Sequence, residues 1–154
     1  MTSIASRASL LHTAVEDLYA GKLDAAARLP RLAEAAAASA LAALLRDEAD
    51  HAAEQARRLA EVAGELGRPK NLWMAGVLDD AERDTRQTQS GALLDIALIG
   101  AVRKAKAAEI VSSETAIALA RRLDDPTILA AVERNRAEEI ATDRALKALL
   151  DDLA

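Results

Sequence analysis

The sequence predicts an all-α protein organised as a bundle of four long helices, and three observations carry that prediction. Of 154 residues, 39 are Ala and 23 are Leu, which together with the abundant Arg and Glu are strong helix formers. Phe is absent and Trp73 and Tyr19 are the only aromatics, so strands lack the residues they favour. Apolar residues recur at steps of three and four along almost the whole chain, the helical period. The length fits one domain, residues 1–154, with enough bulk to bury about two-thirds of its unfolded surface.

Taken in order, the first helix is expected from about Ile4 to Ala36, with Leu11, Val15, Leu18, Leu29 and Leu32 on one stripe. Pro30 falls inside it and is expected to kink it, because its ring removes a backbone donor and crowds the preceding turn. After a soft break near Ser39, a second helix runs from about Ala40 to Leu66 and stops at Gly67-Arg68-Pro69, the usual order of helix-ending residues. A shorter helix, Asn71 to about Gln87, lies within a long crossover and holds Trp73, Met74, Val77 and Leu78. The third long helix spans about Ala92 to Leu123. Asp125 then caps the fourth, which starts at Pro126 and runs to the end. Two short-loop hairpins around one long crossover match the ferritin-like arrangement of a four-helix bundle, here with a short fifth helix in the crossover; loop lengths alone fit other bundles too, and the polar residues inside the stripes sharpen the choice.

Charge and composition exclude several functions. A net charge of −5 opposes non-specific binding to nucleic acid or an anionic membrane. No apolar run approaches a membrane span, and the N-terminus lacks a signal-peptide core, so the expected location is the cytoplasm. Without Cys there is no disulfide, thiolate metal site or Cys nucleophile. No glycine-rich phosphate loop and no nucleophile elbow are present.

Each apolar stripe turns polar near its centre. Lys22 interrupts the first between Leu18 and Ala25, and Glu48, then His51 or Ala52, then Gln55 interrupt the second. Lys106, then Glu109 or Ile110, then Ser113 interrupt the third, and Asn135 or Arg136, then Glu139 and Asp143, the fourth. Four helices turning polar at one depth make a layer. A di-metal carboxylate bundle needs such a layer, built from one Glu on each of two helices and Glu-x-x-His on the other two. Glu48-Ala-Asp-His51 matches that motif once, but Lys22 and Lys106 stand where carboxylates are needed, and the fourth helix offers Glu138-Glu139 with Thr142 and no His. An ammonium group cannot ligate a metal and repels one. The expectation is therefore a core charge network of Lys22, Glu48, His51, Lys106, Glu109, Glu139 and Asp143, a buried charge being tolerable only when paired. The alternative is that one or both lysines snorkel outward along the bundle.

The chain also resembles the YciF/YciE branch of bacterial ferritin-like proteins. Leu18-Tyr19-Ala-Gly-Lys22 followed by Leu29-Pro30-Arg31-Leu32-Ala33-Glu34-Ala35 is similar to that family's first-helix run, and Met74-Ala-Gly76-Val77-Leu78-Asp79-Asp80 to its crossover helix. Ala97-Leu98-Ile99-Gly-Ala101 and Ala118-Leu119-Ala120 bracket the third long helix as in the family, Glu138-Glu139 with Thr142-Asp143 resembles its last-helix signature, and Gln55 with Arg58-Leu59 its second helix. The departures fall on the polar layer. Lys22 aligns with a family Glu, Lys106-Ala-Ala-Glu109 with Glu-His-Tyr-Glu, and Glu48-Ala-Asp-His51 reverses His-x-x-Glu. The resemblance implies a stress-associated, dimeric protein of undefined biochemical activity.

Three functions follow from these readings. The favoured one is a structural or interaction protein, forming a homodimer, with no cofactor and no functional di-metal site. The second is an oxidoreductase or iron-storage protein holding iron or manganese in a reduced site of Glu48, His51, Glu109 and Glu139. The third, a helical adaptor that dimerises through an exposed face, is compatible with the first. Trp73 then either anchors such an interface or plugs the bundle locally.

Overall fold

A computed structural model describes residues 3–154; Met1 and Thr2, the first residues of the expected domain, lie outside the described residues. Five helices follow in order: α1 (Arg7–Ala35), α2 (Ser39–Ala63), α3 (Leu72–Gln87), α4 (Ala92–Arg122) and α5 (Pro126–Leu153). α1 packs on α2 and α4 on α5 as two hairpins, α1 against α4 and α2 against α5 close the bundle, and α3 lies over α1 and α4. This is an all-α, ferritin-like bundle with its long connection between α2 and α4.

Two helix ends depart from the sequence expectation, both for reasons of capping. α1 begins at Arg7 rather than Ile4, because Ser6 accepts from Ser9 N while Ser9 Oγ accepts from Ser6 N, each at 3.0 Å. This reciprocal pair satisfies donors that a helix start otherwise leaves open. α2 stops at Ala63 rather than Leu66, because Gly64 takes up φ of +73°, which a glycine adopts without steric penalty. Gly67, the expected stop, serves instead to bring the crossover back to α1, its N–H donating to Glu16 Oε1 at 2.7 Å. Pro30 lies on the exposed side of a continuous α1.

The core forms two apolar clusters. One gathers Leu29, Leu32, Leu45, Met74, Leu98 and Leu146; the other gathers Leu11, Val15, Leu18, Leu59, Ile117 and Val132. α1, α2, α4 and α5 each contribute to both clusters and are polar in between, and this defines the layer of interest. α3 seals one side. Asn71 accepts from Met74 N at 2.9 Å, capping α3, and donates to Asp17 O of α1 at 2.8 Å. Trp73 Nε1 donates to Asp17 Oδ2 at 3.2 Å, so the half-buried indole closes down on α1. Gly21 lies under this contact, and a Cβ there would stand 2.7 Å from Asn71 Nδ2.

Candidate functional site

Lys22 of α1, Glu48 of α2, Lys106 and Glu109 of α4 and Glu139 of α5 meet between the two clusters, each at most 1% exposed. Helical spacing delivers them. Lys22 falls on the stripe between Leu18 and Ala25, and Lys106 and Glu109 are one turn apart on α4, so both point the same way. Lys22 Nζ donates to Glu139 Oε1 at 2.7 Å and stands 2.9 Å from Glu109 Oε1. Lys106 Nζ touches three carboxylates: it bonds Glu48 Oε1 and lies 2.8 Å from Glu109 Oε2 and 2.6 Å from Glu139 Oε2. Thr142 Oγ1 donates to the other Glu48 oxygen at 2.9 Å.

Two residues expected in this layer stand outside it. His51 is 58% exposed, its Nδ1 4.0 Å from Glu48 Oε2. Asp143 is 28% exposed and accepts from Arg103 Nε at 2.8 Å. The reason is helical phase. At about 100° per residue, His51 sits about 70° from the centre of the buried stripe through Glu48, Ala52, Gln55 and Leu59, and Asp143 is displaced similarly from Asn135, Glu139, Thr142 and Leu146. Ala52 and Thr142, one position away in each case, are the inward residues. On α5 Asn135 is buried, while Arg136 turns outward to Glu114 at 2.7 Å.

The local field differs among the acids. Burial pushes Glu109 up to about 7, against the pull of Lys106 and Lys22. Burial also opposes ionisation of Glu139, but Lys22 and Lys106 outweigh it and hold its carboxyl well below the usual range. Desolvation works against the charged form of Lys106 too, yet Glu109, Glu139 and Glu48 together raise it well above an ordinary lysine. Charge on Glu139 and Lys106 is thus maintained by their neighbours, whereas at Glu109 burial outweighs the two lysines.

A second polar tier lies nearer the Leu59–Val132 end. Gln55 Nε2 donates to Glu138 Oε2 at 2.9 Å, Arg58 reaches the same oxygen at 3.1 Å and also bonds Asn135 Oδ1. Arg58 joins this tier from outside the predicted layer; a basic residue one turn from Gln55 toward a Glu138-Glu139 pair is the signal that marks it. Asp95 is a second buried polar residue outside the predicted layer. It is 1% exposed on α4 and accepts from Ala37 N and Ala38 N, each at 2.8 Å. That carboxylate caps α2 from another helix, which no local motif announces.

The donor set does not fit a metal pair. One oxygen each from Glu48, Glu109 and Glu139 lies within 4.8 Å of the others, the convergence a cation seeks. Yet Lys106 Nζ is in contact with all three carboxylates, Lys22 Nζ bridges two of them, and the only nearby imidazole points to solvent. The two ammonium groups occupy the space between the carboxylates that a metal ion would need, and each repels a cation.

Residues 6–154 match the model of the family DUF892, a domain of unknown function. The chain belongs to this family. The E. coli stress protein YciF superposes with a TM-score of 0.94 at 23% sequence identity, over 97% of this chain and 98% of that one. YcfI of Rhodopseudomonas palustris, for which a structural role has been suggested, gives 0.89 at 23% identity, over 94% and 95%. At that identity the likeness establishes the fold. Comparison with curated proteins gave no match. This DUF892 chain thus carries its family's bundle with a layer of lysines and glutamates inside it. No described helix is long and apolar enough to cross a membrane.

Proposed function

We propose that this chain is a stress-associated structural or interaction protein, a cytoplasmic homodimer whose core carboxylates are paired with Lys22 and Lys106 in place of a di-metal site. The observation that carries the reading is the position of Lys106 Nζ, in contact with carboxylates from α2, α4 and α5 at once. A bridging cation would make those same contacts, and here a side chain of α4 makes them. The similarity to YciF, named as a stress protein, and to YcfI, with its suggested structural role, supports the rest of the reading. Homodimerisation is what the family resemblance implies.

The oxidoreductase or iron-storage reading draws on the convergence of Glu48, Glu109 and Glu139. Metal entry there requires Lys106 to withdraw from three partners, leaving a buried ammonium unpaired or forcing it to solvent. Metal content per chain, measured after purification without chelators and again after loading with Fe(II) and Mn(II), separates the two. A stoichiometry near zero in both is the expected result. One or more ions per chain, lost on Glu48→Ala, refutes the proposal.

A further inference from the structure

The buried layer holds three carboxylates and two ammonium groups, so with every group ionised it carries one negative charge in excess. An unpaired charge in so dry a place is expensive, and such groups neutralise instead. The facing groups are few. α1 supplies Lys22, α2 Glu48, α4 Lys106 beside Glu109, and α5 Glu139. α3 presents apolar Met74 and Leu78 near Lys106. His51 approaches Glu48 from the solvent side at 4.0 Å.

The hydrogen bonds identify which acid takes the proton. Glu48 accepts from Lys106 and Thr142, and Glu139 Oε1 accepts from Lys22. Three buried carboxylate oxygens accept no well-directed hydrogen bond: both oxygens of Glu109, and Oε2 of Glu139. The lysine nitrogens stand near them but off the favourable direction. A single hydrogen on one Glu109 oxygen, aimed at Glu139 Oε2, gives two of these three oxygens a partner and removes the excess charge. We infer that Glu109 is a neutral carboxylic acid in the folded protein, donating its hydroxyl to Glu139, so that the layer is an acid–carboxylate pair clasped by two ammonium groups. The inference rests on the lysine-for-metal reading. The upward displacement of Glu109 to about 7 by burial agrees with it.

The consequence is a stability that depends on pH in a set direction. Between the ordinary glutamate value of 4.5 and about 7, the folded chain keeps a proton that the unfolded chain releases. Stability contributed by Glu109 is therefore complete below that window, falls as pH rises through it, and is level above. Over that span the unfolding constant of the wild type rises about 100-fold relative to a chain lacking the acid.

The test is urea unfolding of the full chain from pH 4.5 to 8.5 in chelator, with metal content checked on the same preparation. Wild type, Glu109→Gln and His51→Gln are compared, together with a carbon-13 carboxyl titration of the wild type. The expected result is a rise in the wild-type unfolding constant that Glu109→Gln abolishes and His51→Gln retains, with Glu109 still protonated at pH 6. A Glu109 carboxyl already ionised at pH 6 in a metal-free sample overturns this inference and leaves the lysine-for-metal reading intact. Transfer of the effect to His51→Gln overturns it as well. Metal found in the preparation overturns the reading beneath it. The titration needs no variant, so the inference is decided even if Glu109→Gln fails to fold.

Discussion

Replacing Lys106 by Met tests the layer most directly. Met keeps most of the aliphatic stem and removes the ammonium group, so packing changes little while the charge changes fully. Lys22 still reaches Glu109 and Glu139, but Glu48 loses its only ammonium partner and keeps only Thr142. Removing one partner of a buried pair leaves an uncompensated charge and costs about 3–5 kcal/mol. Against a total stability of about 5–15 kcal/mol for a domain, that is a large fraction. Adding Glu48→Gln removes the stranded charge, so the double variant should recover part of the loss, with a coupling energy of about 2 kcal/mol. The assay is a double-mutant cycle by urea unfolding at pH 7, with slopes compared to confirm that the denatured state is unchanged. A loss under about 1 kcal/mol for Lys106→Met, or no coupling to Glu48→Gln, refutes the layer, because an ammonium paired only with solvent gives values that small.

Other perturbations address the elements that hold the layer in place. Gly21→Ala puts a Cβ 2.7 Å from Asn71 Nδ2, displacing the side chain that caps α3 and ties it to Asp17. The expected loss is about 1–3 kcal/mol, seen as faster amide exchange in α3 than in α1. Asp95→Ala strips the acceptor from Ala37 N and Ala38 N and should cost about 1–3 kcal/mol by thermal unfolding, with Asp95→Asn recovering part of it because one amide oxygen remains. Asp124→Gly acts in the opposite direction. Asp124 sits at φ of +53° after α4, where Asp125 N bonds Ala120 O at 3.0 Å. Glycine accepts that left-handed position without strain, so the variant should gain about 0.5–1 kcal/mol, a rise in Tm.

The order of helices and the depth at which each turns polar are legible in the chain, because both depend on a local period and on a few breaking residues. Lys22 is a case in point. Leu18 and Ala25 bracket it on one face, and any helix that buries them turns Lys22 inward. What the period leaves open is phase at positions three and four residues on. His51 competes with Ala52, and Asp143 with Thr142, and only packing against the neighbouring helix decides. The small Ala52 fits a close helix approach, so the stripe turns toward it and His51 swings out. Asp95 is out of reach for a different reason. Its partners, Ala37 N and Ala38 N, lie far away in sequence, and a lone Asp in the first turn of a helix reads locally as a favourable charge at the positive end of α4 itself.

The lysine-for-metal reading also bears on what the bundle can do. A divalent cation neutralising buried carboxylates comes from outside, so the stability it confers varies with its concentration and is lost to a chelator. Ammonium groups carried on α1 and α4 arrive as the helices pack, and the only external variable left to them is the proton. Nζ groups within 2.6–2.9 Å of carboxylate oxygens link α1, α4 and α5 across the core. On the proposed reading the layer offers no open coordination position of the kind that metal-assisted chemistry uses. On the same reading the outer helical faces, rather than the filled interior, are where a structural or interaction protein would meet its partner.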